Sequence, residues 1–240
     1  MYFKKLITLA GVLLLGAISG SLAGDFAQRH IHGFSIDGQL FAFEEYGVQD
    51  GSGFPYSNIY VIDTSSDKWT ANSPFRVLLK DETKTVFDAR EEARILAGPV
   101  MKSFEDRGEV VATNRASEIP ASPHRMEFRP RQVVPPIDDT IILWMEEISY
   151  TPRELCSGFG PTKGFRLLQI DLRAGSQTKL LSEDRSVPDS RGCPLRYSFA
   201  DVITYYPEEA APVMAVLIRM ETIGFEGPDG RYLAVTTDLE

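Results

Sequence analysis

Only one stretch of this chain carries a helical period, and everything else that is apolar falls into short runs of strand length. Between Asp81 and Gly108, residues Val86, Ala89, Ala93, Leu96, Val100 and Phe104 recur at spacings of three or four, which lines one face of a helix. Thr85 followed three residues later by Asp88 resembles a capping box. Gly98-Pro99 is placed to kink or divide that helix near its middle. Outside this window the turn Ile36-Asp37-Gly38 leads into the apolar run Leu40–Phe43, and across a Gly-rich loop, Gln49–Pro55, the β-branched and aromatic run Asn58–Thr64 pairs with it. Thr140–Met145 and Val213–Ile218 are continuous apolar runs, and Phe165–Leu172 alternates so that Leu168, Ile170 and Leu172 share a face. The expected fold is mainly β with one helical insertion at 83–107, its antiparallel sheets forming a propeller-like ring or a sandwich.

From Glu118 to Asp139 the chain holds Pro120, Pro123, Pro130, Pro135 and Pro136, so residues 118–139 read as an extended connector and the one candidate boundary inside a single domain of 24–240. An internal echo also stands out. Asp37-Gly38-Gln39-Leu40-Phe41-Ala42-Phe43 and Asp229-Gly230-Arg231-Tyr232-Leu233-Ala234-Val235 match at one constant offset, and Gly33-Phe34 and Gly224-Phe225 precede them. This pattern, with Ile59-Tyr60-Val61-Ile62-Asp63 and Leu168–Gly175, resembles the blade strands of TolB-like propellers. That resemblance implies a ring in which the Phe41 and Leu233 strands hold equivalent places and the terminal strands meet in one sheet. A ring of roughly four blades is the smallest that closes.

The N-terminus sets the compartment. Lys4 and Lys5 precede an apolar Leu6–Ile18 segment, and Ser21-Leu22-Ala23 supplies small residues at −3 and −1, so residues 1–23 read as a secretory signal peptide. The apolar segment is short for the ~20 residues of a spanning helix, and Asp25 stands where a lipid-bearing Cys would be needed. No membrane span is expected after cleavage. Removing 1–23 leaves 217 residues and takes the net charge from −9 to −11. That charge repels nucleic acid and anionic membrane, because phosphate binding requires a basic surface. Both cysteines, Cys156 and Cys193, lie beside turn formers in the exported part, so a disulfide stapling two loops is expected.

Candidate chemistry is sparse. Glu44, Glu45, Asp50 and Asp63 surround the Gly-rich loop, and such oxygen donors suit Ca²⁺ or a protein partner as well as plain solvation. Glu44 and Glu45, being adjacent on a strand, fall on opposite faces and cannot act together as a glycosidase pair. His30 and His32 are spaced for a transition metal if the chain is extended, and with His124, the only other imidazole, they could form a site only if both regions converge; an exposed N-terminal arm is the preferred account. Tyr197, Tyr205, Tyr206 and Trp144 suit either an aromatic platform or sheet packing. No GxSxG, HExxH or P-loop occurs; Ser65/Lys68 and Ser176/Lys179 have Ser-x-x-Lys spacing but sit in turns. No cofactor is expected, with Ca²⁺ at the acidic loop as the alternative.

The string FAFEEYGVQDGSGFPYSNIYVID, with the leader and the DAREEAR helix, resembles a family of predicted secreted bacterial proteins, the domain of unknown function 2259. The resemblance spans most of the mature chain and implies a Gram-negative exported protein, secreted or periplasmic. It brings over no functional residues. The expected role is a binding or assembly module of the cell envelope, its partner an envelope protein or an extracellular ligand. The alternative is a periplasmic hydrolase whose site is built from dispersed carboxylates.

Overall fold

The computed structural model describes residues 24–115, 122–172, 175 and 177–239; the signal-peptide segment 1–23 and part of the proline segment lie outside the described residues. Three antiparallel sheets carry most of the chain. The first is built on β1 (Gln28–Ser35), β2 (Leu40–Val48) and β3 (Pro55–Asp63), and short β4 (Lys68–Trp69), β5 (Phe75–Leu78) and β6 (Phe104–Arg107) extend it. The central sheet runs β14 (Pro228–Asp238), β13 (Val213–Ile223), β12 (Pro194–Tyr205) and β7 (Glu109–Thr113). The third runs β11 (Lys179–Glu183), β10 (Thr162–Asp171), β9 (Ile141–Tyr150) and β8 (Arg125–Phe128).

Period two explains the stacking. Val213, Ala215 and Leu217 of β13 pack with Phe34, Phe41 and Phe43 of the first sheet, while Met214, Val216 and Ile218 pack with Leu143, Met145 and Phe165 of the third. A strand covered on both faces reads as an uninterrupted apolar run, which is why Val213–Ile218 has no polar position. The layers therefore succeed one another as helix, first sheet, central sheet and third sheet. Among the described residues the sheets stack and do not close into a ring, so the sandwich expectation holds and the propeller one is corrected.

The echo fails for a physical reason. Gly38 lies in a turn with φ of 71°, whereas Asp229-Gly230 lies inside β14, where Gly230 has no positive φ. Phe41 is in the middle of the first sheet, and Leu233 is on an edge of the central one. The chain ends still meet through another segment: Phe26 bridges Gly230, Ala27 N–H donates to the Gly230 carbonyl at 3.0 Å, and Gly230 N–H donates to the Asp25 carbonyl at 2.9 Å.

The helix, α1 (Val86–Met101), has the expected capping box: Asp88 N–H donates to Thr85 Oγ1 at 3.2 Å and Thr85 N–H to the Asp88 carboxylate at 2.7 Å. Its buried stripe is Ala89, Ala93 and Ala97 against Ala42, Ile59 and Val61, a set of small residues that brings the helix close to the sheet. Leu96 is rotated off that stripe and is exposed. Pro99 does not divide the helix, because the helix ends two residues later and its lost N–H affects only the last turn. Phe104 begins β6 instead of continuing α1, yet still packs beside it.

Two other expectations shift. In β10 the core takes Phe165 and Leu167, both fully buried, and the Leu168, Ile170 and Leu172 side faces away from it. Inside the proline segment, the proline-free stretch between Pro123 and Pro130 forms β8, which among the described residues pairs with β9 alone and so is an edge strand.

Candidate functional site

β2 sends Glu44 and Glu45 to opposite faces of the first sheet, as strand alternation requires. Glu44 points under α1, where it accepts two hydrogen bonds from Arg90, each 2.9 Å, and one from Ser57 Oγ at 2.9 Å. His32 Nε2 stands 3.6 Å away, too long for a hydrogen bond, and Arg94 reaches to 3.9 Å. Burial pushes this carboxyl up, but His32, Arg90 and Ser57 together hold it at about 2. Glu45 points toward the central sheet, where its carboxylate accepts from Tyr60 Oη at 2.8 Å, Asn58 Nδ2 at 3.0 Å and the backbone N–H of Tyr232 at 2.9 Å. Burial raises it above its ordinary range against these bonds.

Asp50 and Asp63 join neither. They occupy opposite ends of the β2–β3 hairpin, and a nine-residue strand separates its ends by roughly 27 Å. Asp50 accepts from Glu226 N–H at 3.2 Å at the hairpin tip, and Asp63 closes the next turn through Ser65 Oγ at 2.7 Å and Ser66 N–H at 2.9 Å. The expected Ca²⁺ or partner loop of Glu44, Glu45, Asp50 and Asp63 is thus not assembled, because the strand spreads its members over two faces and two ends. Among the described residues no three His, Cys, Asp or Glu side chains gather as a metal would need.

The His30 and His32 rings meet edge to face at 4.7 Å, while His124 Nε2 lies 2.9 Å from the Tyr197 carbonyl in another layer, so the three imidazoles do not converge. The aromatic residues separate too. Tyr197 is in the core, Tyr205 stacks on Phe34 at 5.6 Å, Tyr206 lies under Arg131 at 4.8 Å, and Trp144 sits on the outer face of the third sheet. Cys156 and Cys193 are joined, with Cα atoms 5.6 Å apart, so the β9–β10 connection is tied to the start of β12. Arg153 reinforces the tie by donating to the Gly192 carbonyl and pairing with Asp189. Closing 37 residues contributes about 3–4 kcal/mol by the chain-entropy account.

What the fold does assemble is a cleft of about 470 Å³ along β14, the open edge of the central sheet. One wall comes from the first sheet through Glu45, Tyr60, Trp69 and Arg76, the other from Ser182 of β11 and the Pro188–Arg191 turn. Two carboxylates of the first sheet act on that edge as a neighbouring strand would. Glu45 takes the Tyr232 N–H, and Asp67 takes the Thr236 N–H at 2.7 Å and its hydroxyl at 3.0 Å. Asp67 reaches β14 from a turn in which it adopts φ of 51°, a conformation Asp tolerates better than most residues, and burial raises its carboxyl.

The three cleft guanidiniums differ. Arg231 is held by Asp25 at 2.5 Å, which Tyr56 Oη also contacts at 2.9 Å, and Arg191 by Asp184 at 2.6 Å. Arg76 is exposed on β5 near the Tyr60 hydroxyl, and no described carboxylate is within ion-pairing reach of it. Sequence reasoning missed Asp67, Arg76, Arg191 and Tyr232. Asp67 lies in a polar turn with no motif around it, β5 is too short to show a period, and only the sheet order makes β14 an edge.

No curated protein and no solved structure matches this chain. Among the described residues no helix is long and apolar enough to cross a membrane. Residues 42–237, which include the helix and nearly all of the β2–β3 hairpin and β14, match the family described as "Predicted secreted protein (DUF2259)", and the chain belongs to that family.

Proposed function

We propose that this protein is a ligand-binding module of the cell envelope, acting in the periplasm or outside the cell, with the β14 cleft as its site. The observation that carries this reading is the cleft itself. It has the size of a small-molecule site, an edge strand for a floor, aromatic and apolar walls, and a guanidinium with no carboxylate partner. A hydrolytic role finds less support: Glu45 and Asp67 are both committed to backbone N–H groups, and none of the three histidines lines the cleft beside Ser182 or Ser190.

The test is a fragment screen by protein NMR on the exported, disulfide-bonded protein. Hits should perturb Arg76, Tyr232 and Ala234 together, and Ser182→Trp, which fills the cleft, should remove them while the fold persists. Hits that map elsewhere and survive that substitution would refute the assignment.

A further inference from the structure

In an antiparallel strand the N–H and C=O of one residue point to the same side, and successive residues alternate. On β14 the outward N–H groups are identified by their acceptors: Gly230 bonds Asp25, Tyr232 bonds Glu45 and Thr236 bonds Asp67. The pairing of β14 with β13 has no register shift, so Ala234 is in phase with them and also points outward. Its N–H has no acceptor, and the Tyr232 and Ala234 carbonyls have no donor, among the described residues. A window about 14 Å long, from Tyr232 to Thr236, is left open between two carboxylate caps. These caps refuse a long added strand, because such a strand needs the N–H groups they already hold. One peptide unit fits between them.

Resting on the reading of the cleft as the ligand site, we infer that the occupant is the carboxy-terminal end of a short extended peptide. Its last amide pairs with the backbone of Ala234, its carboxylate meets Arg76, and an apolar side chain lies against Trp69 on the first-sheet wall. Three features select this ligand. The open backbone groups stand in strand geometry, which a peptide complements and a sugar does not. Arg76 is the one cleft cation without a carboxylate, so a single terminal charge satisfies it and a polyanion is not required. The two caps repel acidic side chains at the flanking positions.

The test uses N-acetyl-Ala-Leu-Ala as the free acid and as its carboxy-terminal amide, titrated into the whole exported protein and followed by amide NMR. The acid should shift Ala234 and its β14 neighbours, and the amide should bind at least tenfold more weakly. Arg76→Gln, an exposed change, should abolish the difference between acid and amide. Ala234→Pro, which removes only an outward N–H on an edge strand where Pro is tolerated, should weaken both; if that variant fails to fold, Arg76→Gln carries the test. Equal binding of acid and amide, or shifts outside the cleft, overturns the inference. Non-peptide fragments that occupy the cleft while both peptides fail overturn the peptide inference and leave the proposed function standing, and a cleft that binds nothing overturns both.

Discussion

Glu44 and Glu45 are neighbours in sequence, both are buried, and the protein treats them oppositely. The helix face gives Glu44 the His32 imidazole, a guanidinium fork from Arg90 and the Ser57 hydroxyl, so its charge survives burial and its carboxyl falls to about 2. The cleft face gives Glu45 a phenol, an amide and a backbone N–H but no guanidinium in contact, so burial dominates and its carboxyl rises. The first carboxylate fastens a helix to a sheet. The second covers part of a sheet edge from another layer, which shields that edge from aggregation while leaving a window beside it.

Arg90 is the residue whose loss should cost the protein most. Arg90→Ala leaves Glu44 charged, buried and short of its fork, and also removes the guanidinium stacked 3.8 Å from the Tyr46 ring. We expect a loss of about 3–5 kcal/mol by denaturant unfolding, and Arg90→Ala with Glu44→Gln should recover part of it. A loss below about 1 kcal/mol for the single variant would deny that the pair holds the helix.

Acid titration sharpens the contrast. The Glu44 carboxyl is depressed from 4.5 to about 2, so its contribution is complete above pH 4.5 and is lost as pH falls toward 2. The loss amounts to about 3 kcal/mol. Unfolding curves measured across that window should steepen toward acid in the wild type and flatten in Glu44→Gln. Glu45 has the reverse sign: its folded value is raised, so protonation favours the folded state as pH drops through that value toward 4.5. Glu45→Gln sheds the buried charge and keeps one oxygen for Tyr60 and Asn58, but turns its amide nitrogen toward the Tyr232 N–H, so at pH 7 it should lose about 1–3 kcal/mol. Its standing relative to wild type should fall as the solution is acidified, and an unchanged gap would show that Glu45 is not the raised group.

Much of the architecture could be read from the chain. The apolar run Val213–Ile218 is unbroken because both faces of β13 are covered, and the capping box and the disulfide follow from local residue chemistry. Parity was harder. β10 offers apolar residues on both sides, and only the position of the central sheet selects Phe165 and Leu167. The echo of the Asp-Gly pairs reflects composition alone, since one pair turns the chain and the other extends it. The opposite placement of Glu44 and Glu45 was legible from strand alternation, but their partners come from 46 residues away at Arg90 and 187 away at Tyr232, beyond any local pattern. The cleft is a product of sheet order, which no motif records.

The β14 edge is open at Ala234 in the ligand-free protein, and amide hydrogen exchange read residue by residue reports that opening. The Tyr232 and Thr236 amides, held by Glu45 and Asp67, should be protected, and Ala234 between them should exchange at least tenfold faster. Ala234 protected as well as its two neighbours would mean that the edge is already closed and has no window for a peptide.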